Sequence, residues 1–194
     1  MLFRSQVAAR SVSIDTGGAP PTPSGRVGDD WSFQLRNVND AVLVRTNVPQ
    51  GWTLKSVSLN GQDITDVPME FPSGQTVTGL QVVLTKKVSA LSGQVLDSKG
   101  APALDATVVV FPANDKLWTY QSRFIKAARP DQSGRFQMSA LPAEDYLVVA
   151  LQGLEDGQAG DPDFLATIKD QATKFSIADG ETKAVDVKLT DKSR

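Results

Sequence analysis

The sequence contains no cysteine and no histidine among its 194 residues. Without cysteine the chain can form no disulfide, carry no thiolate nucleophile and bind no metal through sulfur. Without histidine it has no imidazole base and cannot build a Ser-His-Asp triad. It also contains no Gly-rich phosphate loop, nucleophile elbow or metal-spaced cluster. Carboxylates, lysine and tyrosine remain available for chemistry, but these absences together predict a chain that is not an enzyme and holds no cofactor or metal.

The sequence also has no excess of basic residues and no long apolar run. Lys+Arg number 20 against 22 Asp+Glu, which gives a formal net charge of −2 and argues against nucleic acid as a partner. No stretch approaches the roughly 18–20 apolar residues of a membrane helix, so no transmembrane segment is predicted. The first five residues lack the apolar segment of a secretory signal. We expect either a chain that is not exported or a native start upstream of Met1.

The residues that are present describe an ordinary globular protein. Hydrophobic residues make up 40% of the chain and charged residues 22%. The length suits one large domain or two of roughly 100 residues each. Residues 11–28 are rich in Ser, Gly, Pro and Thr, which predicts a loop. We therefore interpret residues 1–28 as a flexible lead-in, or as the remnant of a truncated first module.

A first β module is predicted over residues 29–87. Trp31, Phe33 and Leu35 alternate with polar residues, the pattern of a half-buried strand. Asn60-Gly61 is a strong hairpin signal, because both residues tolerate positive φ. Residues 76–84 form the strand predicted to close this module, which we consider incomplete.

A second β module is predicted over residues 88–190. Residues 107–111 and 146–151 are apolar on both faces, which indicates central strands covered on each side. Residues 162–172 predict one short helix with Asp161 as its N-cap and Pro162 at its first position. The predicted fold is therefore mainly β, with two tandem antiparallel β-sandwich modules of the prealbumin or immunoglobulin type.

An internal repeat supports the two modules. Residues 31–35 resemble residues 134–138, and residues 74–85 resemble residues 180–190 at nearly the same offset. Two separate matches at one offset are typical of a duplicated unit. We therefore predict a tandem repeat.

The second module resembles a known family over residues 88–151. The matching sequences are LSGQVLDSKGAP from Leu91, ATVVV from Ala106, DQSGRF from Asp131, LP from Leu141 and YLV from Tyr146. They resemble the carboxypeptidase regulatory-like domain, a transthyretin-like β-sandwich related to Cna-B-type repeats. Residues 49–66 look like the module that precedes such domains in large bacterial proteins.

The resemblance implies a role as well as a fold. Domains of this family are usually non-catalytic appendages on peptidases, outer-membrane transporters and surface proteins. The chain is thus expected to be a non-catalytic accessory, structural or protein-interaction module of the bacterial cell envelope, within a larger protein. This implies a periplasmic, cell-surface or secreted location, with the cytoplasm left open, and a protein or a polysaccharide as partner.

A long insertion over residues 114–130 provides the candidate binding site. It carries Trp118, Tyr120, Arg123 and Phe124, which could stack on a sugar ring or grip a protein partner. Because related sandwich folds include starch-binding domains, the alternative function is a carbohydrate-binding module that uses the Trp118 loop. The competing interpretation is that these aromatic residues fold back and cover the sheet.

Two groups of carboxylates have both a functional and a simpler interpretation. The first comprises Glu155, Asp156, Asp161 and Asp163. Its oxygen density could hold calcium, but the spacing fits no EF-hand, and the favoured interpretation is a solvated acidic loop. The second comprises Asp63, Asp66 and Glu70. The paired carboxylates of an acid–base site have this composition, yet turn formation explains them more simply.

Overall fold

The computed structural model describes residues 6–11, 23–38, 41–72 and 74–190. The chain divides into two compact units, residues 1–86 and 87–194. The predicted mainly β fold is confirmed, and the described residues contain one short α-helix. No helix among the described residues is long and apolar enough to cross a membrane. The finer predicted division into 1–28, 29–87 and 88–190 stays a prediction.

The first unit consists of two small sheets. Its strands are β1 Gln6–Ser11, β2 Ser24–Arg26, β3 Ala41–Asn47, β4 Thr53–Leu59, β5 Gln62–Asp63, β6 Met69–Glu70 and β7 Leu80–Thr85. One sheet has the order β2-β1-β3-β6 and the other the order β5-β4-β7. Val7 and Val44 from the first sheet share one buried cluster with Leu54 and Val57 from the second. The two sheets therefore enclose a common core, as in a β-sandwich.

The predicted hairpin at Asn60-Gly61 is confirmed. Leu59 pairs with Gln62 across a two-residue connection, in which Asn60 has φ 51° and Gly61 has φ 85°. Positive φ at both central positions matches the right-handed twist of the flanking strands.

Two predicted strands of the first unit are wrong in part. Residues 32–36 belong to no strand, and the closing strand begins at Leu80 rather than at residue 76. Phe33 and Leu35 are half-buried while Gln34 and Arg36 are exposed, so the alternation of burial is present without strand pairing. Alternating polarity reports which side chains are covered, whereas a strand also requires a neighbouring backbone.

The region interpreted as a lead-in contributes two strands to the first unit. β1 pairs with β3 on one side and with β2 on the other, both antiparallel. The predicted loop over residues 11–28 is therefore interrupted by β2, and residues 12–22 lie outside the described residues. A Cβ placed on Gly25 would lie 2.2 Å from the Gln34 carbonyl oxygen, so the chain passes closely over this glycine.

The second unit contains eight strands and the helix. They are β8 Ala90–Leu96, β9 Ala106–Pro112, β10 Lys126–Ala128, β11 Arg135–Ser139, β12 Glu144–Gln152, α1 Pro162–Ile168, β13 Thr173–Ile177, β14 Thr182–Ala184 and β15 Val187–Thr190. Short 3₁₀ helices cover Asp115–Leu117, Gln158–Gly160 and Lys169–Gln171. The strand order is β10-β9-β12-β15-β8-β11, with β13 also paired to β12 and β14 also paired to β8.

Strands β9 and β12 are covered on both faces, as their sequences predicted. Val108 and Val110 face a core shared with Leu91 and Phe136 of β8 and β11. The alternate residues of β9 and β12, together with α1 and part of the insertion, form a second core on the opposite face. Each central strand therefore supplies side chains to two separate cores, which explains its continuous apolar sequence.

The closing strand β15 joins the two halves of the second unit. Val187 and Lys188 pair in parallel with β8, and Leu189 and Thr190 pair in parallel with β12. β14 also runs parallel to β8. The predicted antiparallel modules thus include three parallel pairings, because the chain returns to the sheets in the direction of β8 and β12.

The predicted helix is confirmed. The Asp161 carboxylate accepts a hydrogen bond from the Asp163 N–H at 3.0 Å, and Pro162 occupies the first turn. Leu165 and Ile168 are its buried residues, both in the outer core. The helix could be predicted because its cap, its first-turn proline and its apolar face all lie within a few residues of one another in the sequence.

Candidate functional site

The insertion over residues 114–130 places Trp118 inside the second unit. Its side chain is only 8% exposed and lies in the outer core. The indole Nε1–H donates a hydrogen bond to the Pro112 carbonyl oxygen at 2.7 Å. The ring also packs edge-on against Phe111, with centroids 5.6 Å apart. A buried indole with its N–H satisfied presents no face to a sugar ring.

The other three predicted binding residues differ from Trp118 in their surroundings. Phe124 is 8% exposed and belongs to the core between the sheets, not to the outer core. The Arg123 guanidinium lies 5.2 Å from the Phe124 ring centroid. Tyr120 is 51% exposed. The geometry thus does not fit a stacking site built on Trp118 and Phe124, because apolar burial has drawn both rings inward.

The acidic loop over residues 155–163 is explained by local hydrogen bonds. Asp161 caps α1, and the Glu155 N–H donates to the Gln158 side chain at 3.1 Å. Within the described residues, no group of three or more acidic side chains is arranged to hold a metal ion. The predicted solvated loop remains the simpler interpretation.

Turn formation likewise occupies the carboxylates of the first unit. Asp63 accepts from the Thr65 N–H at 2.8 Å and from the Thr65 hydroxyl at 2.6 Å. Asp66 lies 3.4 Å from Arg45, whose guanidinium also donates to the Thr65 carbonyl oxygen. Glu70 lies in β6, at an exposed position. These contacts stabilise a turn and give no carboxylate the position of a general acid or base.

A polar cleft of about 650 Å³ lies on the second unit between β8, β11 and the residues that precede β11. Its charged residues are Arg129, Asp131, Arg135 and Asp186. Asp131 accepts from two backbone N–H groups of its own turn, and Asp186 accepts from the Gln94 N–H at 2.9 Å. The cleft has two basic and two acidic side chains, so its charge favours neither anionic nor cationic ligands.

Asp30, Asp97, Glu181 and Lys126 have displaced pKa values, each for a local reason. Hydrogen bonds from the Ser32 hydroxyl and N–H lower the pKa of Asp30. The N–H groups of Ala101 and Lys99 lower the pKa of Asp97, and the Ala178 N–H lowers that of Glu181. Burial lowers the pKa of Lys126, whose Nζ donates to the Ser139 carbonyl oxygen. The three carboxylates are turn-closing groups at the surface.

A second groove, of about 940 Å³, lies within the first unit. Two segments line it, residues 33–38 and residues 71–80 without residue 73. Strands were predicted over residues 31–36 and 76–84, which overlap these segments in part, but residues 32–36 and 76–79 belong to no strand. Sequence reasoning missed the groove, because it assigned residues 33–36 and 76–80 to strands.

The backbone along this groove has few hydrogen bonds. In the described part of the chain, no hydrogen bond involves the backbone of Phe33, Leu35 or residues 76–78. Residues 32–36 and 75–79 contain no turn or bend. The first stretch lies between Trp31 and Asn37, which have positive φ, and the second begins after Gly74 and ends at Gly79, which also have positive φ. A segment without a turn or bend whose backbone lacks hydrogen bonds can accept an additional strand.

Comparisons with known proteins find the chain similar to some solved structures at low identity. No family model matches the chain, and no curated protein matches it. A streptococcal ancillary pilin matches at 10% identity and a TM-score of 0.39, over 97% of this chain and 62% of the pilin. A Pseudomonas aeruginosa protein described as carbohydrate-binding matches at 12% identity and a TM-score of 0.30, over 52% of this chain and 87% of that protein. Catechol 1,2-dioxygenase of an Acinetobacter species matches at 12% identity and a TM-score of 0.30, over 53% of this chain and 52% of the enzyme.

These matches correct one prediction. The expectation that the chain is not an enzyme is contradicted, because dioxygenases stand among the structures that it resembles. The chain spans only 33% to 53% of the length of the hydroxyquinol and catechol dioxygenases that it matches. Likeness at this level assigns neither dioxygenase nor pilin activity. The resemblance to the carboxypeptidase regulatory-like domain, without a matching family model, stays a prediction.

Proposed function

We propose that the chain is an accessory module of the bacterial cell envelope with a structural or protein-binding role, and that it works within a larger protein. The observation that carries this proposal is the groove of the first unit, where the backbone of Phe33, Leu35 and residues 76–78 makes no hydrogen bond within the described part of the chain. Exposed sheet edges and unpaired straight segments are where β proteins bind extended parts of other proteins.

The envelope location is supported by sequence rather than by geometry. The motifs from Leu91 to Tyr146 resemble a domain family found on surface proteins and outer-membrane transporters. Tandem small β modules are common in such proteins because each module folds around its own core and can act as a spacer.

The carbohydrate-binding alternative gains no support from the insertion. It depended on stacking by Trp118, and that indole is buried with its N–H hydrogen bonded. Tyr120 alone would leave a sugar with a single exposed ring. We therefore retain the protein-binding function as the one that the geometry supports best.

Site-specific photocrosslinking tests this function in the organism that encodes the chain. Benzoylphenylalanine is placed at Val77 in the groove, at Tyr120 in the insertion and at Lys99, an exposed turn position, as background. Val77 and Tyr120 are 39% and 51% exposed, so both positions can be labelled without disturbing a core. We expect the chain in the envelope fraction and a discrete protein adduct from Val77 or Tyr120 that is absent from Lys99.

Two results would contradict the proposal. One is fractionation with the cytosol alone. The other is the absence of any protein adduct above the Lys99 background at both positions.

A further inference from the structure

Residues 181–190 form one strand along β8, of which β14 and β15 are the two hydrogen-bonded parts. The pairing keeps one register throughout, from Thr182 opposite Ala90 to Lys188 opposite Leu96. Burial alternates from one residue to the next between residues 181 and 189. A segment with constant register and alternating burial is a single strand in sequence and in structure, and we call it the 181–190 strand.

The 181–190 strand completes both the hydrogen bonding and the core of the second unit. The Val185 N–H donates to a carbonyl oxygen of β8, and the Asp186 carboxylate accepts from the Gln94 N–H of the same strand, both at 2.9 Å. Val187 is 4% exposed and lies in the core between the sheets. Withdrawal of this strand would leave β8 and β12 without the neighbour that lies between them, so its position must be filled again.

The backbone pairing that holds this strand is short and entirely parallel. β15 pairs with β8 through two residues and with β12 through two more, and β14 adds three residue pairs with β8. By comparison, β12 and β9 pair through seven residues in antiparallel register. Because parallel pairing is slightly less stable per residue, the 181–190 strand is the part of this sheet that separates most readily.

A tight turn, residues 178–181, connects β13 to this strand. The Glu181 N–H donates to the Ala178 carbonyl oxygen at 3.0 Å, and the Ala178 N–H donates to the Glu181 carboxylate at 2.8 Å. Gly180 has φ 74°, and a Cβ there would lie 3.2 Å from the Lys87 Cβ. These hydrogen bonds lie within four residues, so opening the turn releases the strand as one piece without disturbing β13.

We propose that the 181–190 strand exchanges between two copies of this chain, so that the strand of each copy pairs with β8 and β12 of the other. The turn at residues 178–181 opens in this dimer, and the other contacts of the strand are remade with identical residues of the second copy. The inference concerns the second unit and does not rest on the groove of the first.

Identity of sequence selects the second copy as the occupant. The position between β8 and β12 requires a strand with a carboxylate that reaches the Gln94 N–H and, at the next residue, an apolar side chain in the core. Asp186 and Val187 meet these requirements, and a second copy carries the same residues. The closed and exchanged forms share these contacts, so their balance depends on the turn and on protein concentration.

The first experiment detects the exchange by thiol crosslinking, which the absence of native cysteine allows. Leu96→Cys and Lys188→Cys are made in separate chains, because these positions are opposite each other on neighbouring strands. Such partners lie about 5 Å apart, within reach of the short crosslinker dibromobimane. The two chains are mixed, unfolded in urea and refolded together at a series of concentrations. We expect a crosslinked dimer whose yield rises with concentration.

Two controls accompany the crosslinking. The double variant, with Leu96→Cys and Lys188→Cys in one chain, should crosslink within that chain at low concentration, which verifies the pairing. Leu96→Cys mixed with Lys169→Cys should give no dimer above background, because Lys169 is exposed in a 3₁₀ helix and belongs to neither strand.

The second experiment changes the turn. Gly180→Val places a β-branched residue at φ 74°, which disfavours the closed turn, whereas an extended connection accepts valine. The equilibrium constant for dimer formation, measured by analytical ultracentrifugation, should rise about tenfold or more. Gly160→Val is the matched control, because a Cβ there meets nothing within 4 Å. It should leave this constant within about threefold of wild type.

Three outcomes would overturn the proposal. One is a chain that stays monomeric at every concentration, in the Gly180→Val variant as well as in the wild type. Another is a dimer without crosslinking between the Leu96→Cys and Lys188→Cys chains, since the copies would then associate through another surface. The third is a double variant that does not crosslink within its own chain. Where Gly180→Val does not fold, the crosslinking of the single-cysteine chains decides.

Discussion

At the scale of single residues, Trp118 is the clearest case of a side chain held for packing. Trp118→Ala removes a buried indole and leaves the Pro112 carbonyl oxygen without its donor. We expect the free energy of unfolding to fall by about 3–5 kcal/mol. Tyr120→Ala, at a position that is 51% exposed, should change it by no more than about 0.5 kcal/mol. Urea denaturation of both variants checks this, and equal small effects would contradict the buried position.

Gly93 is a second residue whose identity is set by its neighbours. A Cβ at this position would lie 1.9 Å from the Val185 carbonyl oxygen and 2.9 Å from the Phe136 ring. Gly93→Ala must therefore displace backbone, and we expect a loss of about 1–3 kcal/mol in the free energy of unfolding. Gly160→Ala is the matched control, because a Cβ there meets nothing within 4 Å. A Gly93 variant as stable as the Gly160 variant in thermal unfolding would contradict this close approach.

Residue roles could be predicted from the sequence only where the determining contact is close along the chain. The Asn60-Gly61 turn and the Asp161 cap follow from dihedral preferences and hydrogen bonds within three residues. The burial of Trp118 depends on Phe111 and on the helix α1, and Gly93 is required by Val185. Contacts between residues distant in the sequence produce no recognisable local pattern. For this reason the sequence alone did not distinguish a buried Trp118 from a binding residue.

At the scale of elements, helix α1 depends on its N-cap. Asp161→Ala removes the acceptor of the Asp163 N–H, and the free energy of unfolding should fall by about 1 kcal/mol. Asp161→Asn keeps a side-chain oxygen at the cap and should retain most of the stability. The comparison is made by urea denaturation. An Asn variant as unstable as the Ala variant would show that the cap bond is not the cause.

Strands could be predicted from the sequence where both faces are covered. They were harder to predict where the presence of a hydrogen-bonded neighbour determines whether a segment is a strand. β9 and β12 have continuous apolar sequences and were predicted correctly. Residues 32–36 have the alternation of a strand, yet they lie between two residues of positive φ, Trp31 and Asn37, and are not paired into a strand. Register and pairing depend on residues distant in sequence. This is also why the groove of the first unit could not be predicted.

At the scale of the whole molecule, stability should depend on pH in the acid range and little near neutrality. The sequence has no histidine or cysteine, so its side chains provide no usual titration near neutrality. Asp30, Asp97 and Glu181 have pKa values lowered in the folded state. The unfolded chain then binds protons more readily, so their contribution is present above the unfolded pKa values and is lost as the pH falls through the folded ones.

Urea denaturation over a pH series measures this dependence. We expect a constant free energy of unfolding between about pH 6 and 8 and a decline below about pH 4. Asp97→Asn, which keeps an acceptor oxygen but cannot ionise, should reduce the difference between about pH 7 and pH 3. An unchanged difference would show that the Asp97 turn does not contribute to it.

The position of β15 between β8 and β12 has a consequence for the order of synthesis. Residues 187–190 connect the two halves of the second unit, although β8 begins about a hundred residues earlier. While the chain emerges from the ribosome, the earlier strands are made without the segment that joins them. The second unit can therefore close only after Thr190 has left the exit tunnel. Until then β8 and β12 have exposed edges, and this is the interval in which a nascent chain depends most on chaperones.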